Sequence, residues 1–208
     1  MVLFLRFYFI SFAFFHFLTL NYKMIVFKRF LSQGEYKFQM TKRNQILVIG
    51  HDEDGCTPEH EKIAYETGTE IAKSGSILIS GGLGGVMKAA CQGANESGGI
   101  TVGIIPQNDS QAANEFCDIV IPTGMGYTRD FLTALSADGV IIIGGGAGTL
   151  TEVCAAYMYK KPIIAIKNSG GVASKYADQY LDHRKNVKIV GVSSPKEDVK
   201  YILEQIAK

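Results

Sequence analysis

Net charge is almost absent from this sequence: 21 Lys and Arg stand against 20 Asp and Glu in 208 residues, a formal +1. That balance gives no global electrostatic reason to bind nucleic acid. Cysteines number four (Cys56, Cys91, Cys117 and Cys154), widely spaced, with no CxxC pair and no adjacent histidine cluster. Zinc-site spacing is therefore excluded, and no metal centre is expected. Such thiols read as small buried apolar residues in a reducing cytoplasm. Internal repeats and low-complexity linkers are missing too. What is present, 47% apolar and 20% charged residues, excludes a disordered chain.

Phenylalanine nearly vanishes part-way along. Ten of the 12 Phe lie in residues 1–40, whereas 22 of the 23 Gly lie after them. Beyond residue 40 the balance is 16 basic to 19 acidic residues, a net −3. The chain thus divides near Met40 into an apolar Phe-rich extension, 1–39, and a single domain, 40–208. Residues 2–20 are long enough to be considered for a bilayer span. Three readings of the extension compete. The favoured one is a mis-set start, since Phe, Leu, Ile, Tyr, Lys and Asn are what AT-rich non-coding DNA yields and Met24 and Met40 offer later starts. A membrane anchor would use Lys23, Lys28 and Arg29 to hold the domain on the cytoplasmic side. A signal peptide fits worse, because no small-x-small site follows Leu20. The expected location is the cytoplasm, with membrane contact through residues 1–39 alone.

After Met40, short apolar runs alternate with helical patterns. The runs are 45–50, 76–80, 101–106, 118–122, 139–144, 162–166 and 187–192; most are nearly continuous Val and Ile, as in strands buried on both faces of a parallel sheet. Amphipathic stretches at 58–74, 86–97, 127–137, 150–160, 172–181 and 196–207 lie between them. This alternation predicts an α/β fold: a Rossmann-like, doubly wound, mostly parallel sheet of about seven strands with helices on both faces. Ligands of such sheets sit beyond the carboxyl ends of the strands.

Several strand ends carry unusual residues. His51, Asp52, Glu53 and Asp54 follow the first; they read as a solvated turn with Thr57 capping the next helix, although a metal or acid/base role is conceivable. The second strand runs into Gly81, Gly82, Leu83, Gly84, Gly85, Val86 and Met87. Glycines let a backbone approach a ligand closely, and a helix N-terminus presents N–H groups to an anion. The spacing is neither GxGxxG nor a Walker motif. A second glycine loop, Gly144, Gly145, Gly146, Ala147, Gly148 and Thr149, follows the fifth strand, and two such loops facing one ligand are hard to explain by packing. Thr149 would add a hydroxyl donor. Glu152 is either functional or half of a capping box with Thr149. Arg129, alone between Arg43 and Arg184, opens a helix; it either recognises phosphate or pairs with Asp130 or another carboxylate.

Together, GGLGGVMKAACQGA at 81–94, Arg129 and GGGAGTLTE at 144–152 resemble the SLOG superfamily, which contains the LOG phosphoribohydrolases and the molybdenum-cofactor carrier proteins. The resemblance covers 44–208 and none of 1–39. It implies phosphate binding by Gly145, Gly146, Gly148 and Thr149 beside the Gly81, Gly82, Gly84, Gly85, Val86 and Met87 loop. It also implies Arg129 and Glu152 as the catalytic pair of a hydrolase that splits nucleoside (cytokinin riboside) 5′-monophosphates into base and ribose 5-phosphate. A carboxylate near the anomeric carbon would stabilise an oxocarbenium-like transition state. The LOG pattern, PGGxGTxxE with an Arg–Lys pair, is broken twice: Gly144 replaces the proline and Asp130 the lysine. Those departures favour the carrier branch, whose ligand is a phosphate-bearing pterin, the molybdenum cofactor. The expected function is thus binding of a phosphorylated nucleotide-like ligand, with hydrolysis as the alternative kept open by Arg129 and Glu152. Family members are dimers or tetramers, so a homo-oligomer is expected. A lysine decarboxylase activity, a label some relatives carry, is rejected: no PLP-lysine motif is recognisable, and the domain is small for such an enzyme.

Overall fold

A computed structural model describes residues 42–207; the apolar extension and its three readings lie outside the described residues. Seven strands form one sheet: β1 (Gln45–Gly50), β2 (Ile77–Ser80), β3 (Ile100–Ile105), β4 (Ile119–Pro122), β5 (Gly139–Ile143), β6 (Ile163–Ile166) and β7 (Ile189–Val192). Their order is β4-β3-β2-β1-β5-β6-β7, and every pairing is parallel. The sheet is therefore wholly, rather than mostly, parallel. Ile46 to Ile49 and Val140 to Ile143 are all buried, which is why these runs lack the polar alternation of a one-faced sheet. The edge strand β4 differs: Ile119 is 50% exposed.

Among the described residues five α-helices connect strands, α1 (Pro58–Lys73), α2 (Val86–Glu96), α3 (Arg129–Ser136), α4 (Ala147–Met158) and α5 (Gly171–Tyr176), and a sixth, α6 (Pro195–Ile206), follows β7. Strand alternation sorts the core into two layers. Leu47, Ile49, Val140 and Ile142 pack with Ala134, Val153, Tyr157 and Ala173 of α3, α4 and α5. Ile46, Val48, Ile141 and Ile143 pack with Ile71, Val86, Ala90 and Ile202 of α1, α2 and α6. Element boundaries differ from the sequence pattern, most at two helices. Helix α4 begins at Ala147, three residues before its apolar periodicity, because Gly146 caps it and Ala147, Gly148 and Thr149 belong to its first turn; α5 stops at Tyr176, where Ala177 leaves the helical conformation.

The start of α1 follows its sequence signal. Thr57 is the N-cap and Pro58 opens the helix. The capping-box partner is a histidine: His60 N donates to Thr57 Oγ1 (3.3 Å), and Thr57 N donates to His60 Nδ1 (3.1 Å). Helices α1 and α2 cross closely because Gly68 and Gly93 lie at the contact; a Cβ on either would run into a carbonyl oxygen, of Ala90 or of Tyr65.

Asp198 on α6 is fully buried. Its Oδ2 accepts from Thr67 Oγ1 at 3.1 Å, and its Oδ1 has no partner among the described residues. Burial, opposed by the Thr67 bond, raises its pKa well above the carboxylate range. A carboxyl whose folded pKa is raised binds its proton more tightly when folded, so its contribution to stability falls as pH climbs from the unfolded value toward the folded one. Asp198→Asn removes that slope. In thermal melts, the Tm difference between variant and wild type should shift in the variant's favour from about pH 5 to about pH 8; a constant difference would mean that the folded protein does not hold the Asp198 proton above the ordinary carboxylate range.

Candidate functional site

The chain runs from β1 outward to β4, then returns to β5 on the other side of β1. The strand order reverses between β1 and β5, and the carboxyl ends of these neighbours flank the crevice where such sheets hold ligands. Gly50 ends β1 against β5 so closely that a Cβ would strike Ile143 O and the Val86 methyls. Its carbonyl accepts the Thr149 hydroxyl at 2.9 Å, and the next carbonyl, of His51, accepts Val86 N at 3.0 Å. Both glycine loops are thereby tied to the end of one strand.

In the β5–α4 loop, Gly144 (φ 63°) and Gly145 (φ 98°) occupy conformations that L side chains rarely adopt. Gly144 N also donates to Ser169 Oγ at 2.8 Å. Proline can supply neither the positive φ nor the N–H, so the glycine at 144 is required by this loop. The loop is held from beneath: Val172 N and Ala173 N donate to the carbonyls of Gly145 (3.0 Å) and Gly144 (2.9 Å). Ser169 O in turn lies 2.7 Å from His60 Nε2. Because Nδ1 of that ring accepts from Thr57 N, Nε2 is the donor and the tautomer is set. Gly146 is the N-cap of α4 with no side-chain cap, and Gly146, Ala147 and Gly148 are exposed. The unpaired N–H groups of a helix start thus face outward there.

In the β2–α2 loop, Gly85 is the N-cap of α2, with φ 63° and its Cα against the backbone of His51 and Asp52. Gly82 N donates to Ser80 Oγ at 3.0 Å, and Asn114 secures the loop by donating to Leu83 O (Nδ2, 3.0 Å) and Gly82 O (N, 2.8 Å). A Cβ on Gly81 would lie 2.6 Å from both Arg129 Nη1 and Met87 Sδ. The guanidinium therefore lies directly over Gly81.

Arg129, Asp130 and Glu152 are each 7% exposed. Arg129 Nη1 is 3.4 Å from Asp130 Oδ1, while Arg129 Nε is buried without a hydrogen-bond partner among the described residues. Leaving a buried charged donor unpaired is costly, as is a cation in the first turn of a helix. Glu152 Oε1 accepts from the buried Thr133 Oγ1 at 2.8 Å. Burial is the main reason that the Glu152 pKa is pushed up to about 8; Asp130 adds to the rise, whereas the Thr133 bond and Arg129 oppose it. Burial likewise raises Asp130, against the pull of Arg129. At neutral pH the Glu152 carboxyl of this cluster is therefore largely protonated.

The structure brings Arg129, Glu152 and both glycine loops to one edge of the sheet. The capping-box alternative for Glu152 is not formed, because its carboxyl turns to Thr133 and the Thr149 hydroxyl to Gly50. Thr149 therefore spends its proton inside the fold, and Val86, fully buried with its N–H given to His51, offers packing. The salt bridge proposed as the alternative for Arg129 is present, but at 3.4 Å it leaves Nε free. The acidic turn after β1 sends His51 toward Gly144; burial, then the nearby His60, lowers the His51 pKa, and Asp52 opposes them. Among the described residues no group of three or more His, Cys, Asp or Glu could hold a metal ion, and no helix is long and apolar enough to cross a membrane. Sequence reasoning missed Thr133, Ser169 and His60. Thr133 lies one turn after Arg129, and Ser169 opens a third strand–glycine–helix junction at Gly170 and Gly171; both spacings were signals.

The sequence signature of the SLOG cluster4 family matches residues 43–199. The chain belongs to the SLOG cluster4 family. Among solved structures, this SLOG chain is similar to the molybdenum cofactor binding protein of Rippkaea orientalis (TM-score 0.72, 35% identity, 80% of this chain and 99% of that one). It is also similar to the molybdenum cofactor carrier protein of Chlamydomonas reinhardtii (TM-score 0.69, 30% identity, 80% of this chain and 100% of that one). A more distant relative is the cytokinin riboside 5′-monophosphate phosphoribohydrolase of Mycobacterium tuberculosis, 31% identical over 123 residues, 53% of this chain and 66% of that enzyme.

The buried carboxyl of this SLOG domain has a directly observable signature. A carboxyl 13C resonance of Glu152 should titrate with a midpoint near the value of about 8. Thr133→Val, which removes the bond that holds the pKa down, should move it further up and cost about 1 kcal/mol of stability. A midpoint in the ordinary range of about 4 would show that the carboxyl is hydrated in solution.

Proposed function

We propose that this protein binds a phosphorylated, nucleotide-like ligand between the glycine loops Gly81–Gly85 and Gly145–Gly148, and that the ligand is the molybdenum cofactor, whose pterin carries a phosphate. The observation that carries the reading is Arg129: a buried guanidinium with an unpaired Nε, lying over one glycine loop on a helix whose next residues reach the other. A phosphate oxygen is the partner that would satisfy it. The names borne by the Rippkaea and Chlamydomonas proteins support the choice of cofactor. The site fits the phosphate end of that group: the exposed Gly146–Gly148 backbone is open to close approach, and the Arg129 guanidinium lies across the site over Gly81.

Hydrolysis of nucleoside 5′-monophosphates is the second reading, favoured by Arg129, Glu152 and the mycobacterial relative. In it, the protonated Glu152 would deliver a proton to the leaving base and then, ionised, position water. Asp130 counts against it, placing a carboxylate where the LOG pattern has a lysine.

The protein would act as a homo-oligomer joined through the outer faces of α3 and α4. There Phe131, Leu132, Leu135 and Met158 stand exposed, more apolar surface than a solvated helix pair needs.

Purified protein incubated with nucleoside 5′-monophosphates and with molybdopterin extracts decides between the readings. Thermal protection by the pterin, with no free base from any nucleotide, is the expected result. Base released by wild type and lost in Glu152→Gln would instead make the protein a phosphoribohydrolase.

A further inference from the structure

The two glycine loops differ in charge. At the β2–α2 loop the Arg129 guanidinium covers Gly81, within 2.6 to 3.0 Å of where a Cβ would stand. Glu53 touches that loop at Gly84, but it is an exposed residue at the outer end. At the β5–α4 loop the neighbour is a buried acid: Asp130 Oδ2 lies 3.6 Å from the position of a Cβ on Gly148. Asp130 Oδ1 faces Arg129, whereas Oδ2 has no hydrogen bond among the described residues. Glu152 lies behind it, close enough for the two acids to influence each other.

A helix start alone would accept a phosphate at Gly148. A fixed carboxylate beside it opposes that: at an effective dielectric of ~20, like charges about 6 Å apart weaken binding on the order of a hundredfold. An unpaired carboxylate oxygen instead demands a hydrogen-bond donor.

Resting on the reading of a phosphorylated ligand, we infer that the ligand is held in one direction, its phosphate at the Arg129 guanidinium above Gly81 and an N–H or O–H donor group at Gly148 against Asp130. The acid at 130 is then a specificity-determining residue: it selects ligands whose non-phosphate end offers donors, such as a sugar hydroxyl or a ring with an exocyclic amine. It rejects ligands with a second anionic group at that end.

Two probes test this by calorimetry on the full chain: inorganic pyrophosphate, which has no donor end, and guanosine 5′-monophosphate, which has one. Asp130→Asn keeps the shape and removes the charge. It should weaken the nucleotide about tenfold, the loss of one charge-assisted hydrogen bond, and tighten pyrophosphate several-fold. Gly81→Ala displaces the flexible end of Arg129 and should weaken both probes at least tenfold; Arg129→Gln does the same by another route. Tighter nucleotide binding by Asp130→Asn would place the phosphate beside residue 130 and overturn the assignment. So would pyrophosphate affinity within twofold of wild type in Gly81→Ala. Wild-type protein that binds neither probe overturns the phosphate reading itself and the assignment with it.

Discussion

The absence of a side chain at Gly50 is the constraint on which the site depends. Because nothing projects from that residue, β1 ends flush against Ile143 and the start of α2, and its carbonyl is left free for Thr149. One strand end thus positions the first turn of α2 through His51 and the first turn of α4 through Gly50. Any Cβ at 50 would push β1 from β5 at the point where the sheet order reverses, and both loops would lose their common reference. Glycines elsewhere in the site serve single turns; this one sets the distance between two.

Around that frame the charges are arranged for unequal ends. A guanidinium and two carboxyls occupy a nearly dry volume, and the fold avoids three full charges by keeping Glu152 largely protonated. The Thr133 hydroxyl donates to it without forcing ionisation. This is an expensive arrangement for stability alone, since apolar residues of similar size would fill the same space with no unpaired donor. Its persistence on two helices that also frame the glycine loops is the physical argument for a ligand.

Much of the architecture was legible because parallel strands buried on both faces leave an unmistakable apolar run, as in Ile46–Ile49 and Val140–Ile143. Loop glycines are legible for a similar reason: 144 and 145 need positive φ. Legibility failed where a role depends on what another segment brings. Ser169 and His60 meet across 109 residues of sequence; the glycine junction after Ser169 marks that residue as a candidate, but no local spacing pairs it with His60. Thr149 looked like a free donor because a hydroxyl at a helix start usually is one; only the arrival of Gly50 shows that it is spent. The sequence did flag Asp130 as a break with the family pattern. What it could not show is that the carboxylate is buried and aimed at Gly148.

The bonds from Val172 and Ala173 brace the loop carbonyls of Gly145 and Gly144. They mean that the β5–α4 loop is assembled before any ligand arrives, with Gly144 and Gly145 held on one side by α5 and Ser169. A loop already fixed in its working shape loses little conformational entropy on association. The ordering cost was met during folding, so the site's selectivity can rest on charge and shape rather than on rearrangement.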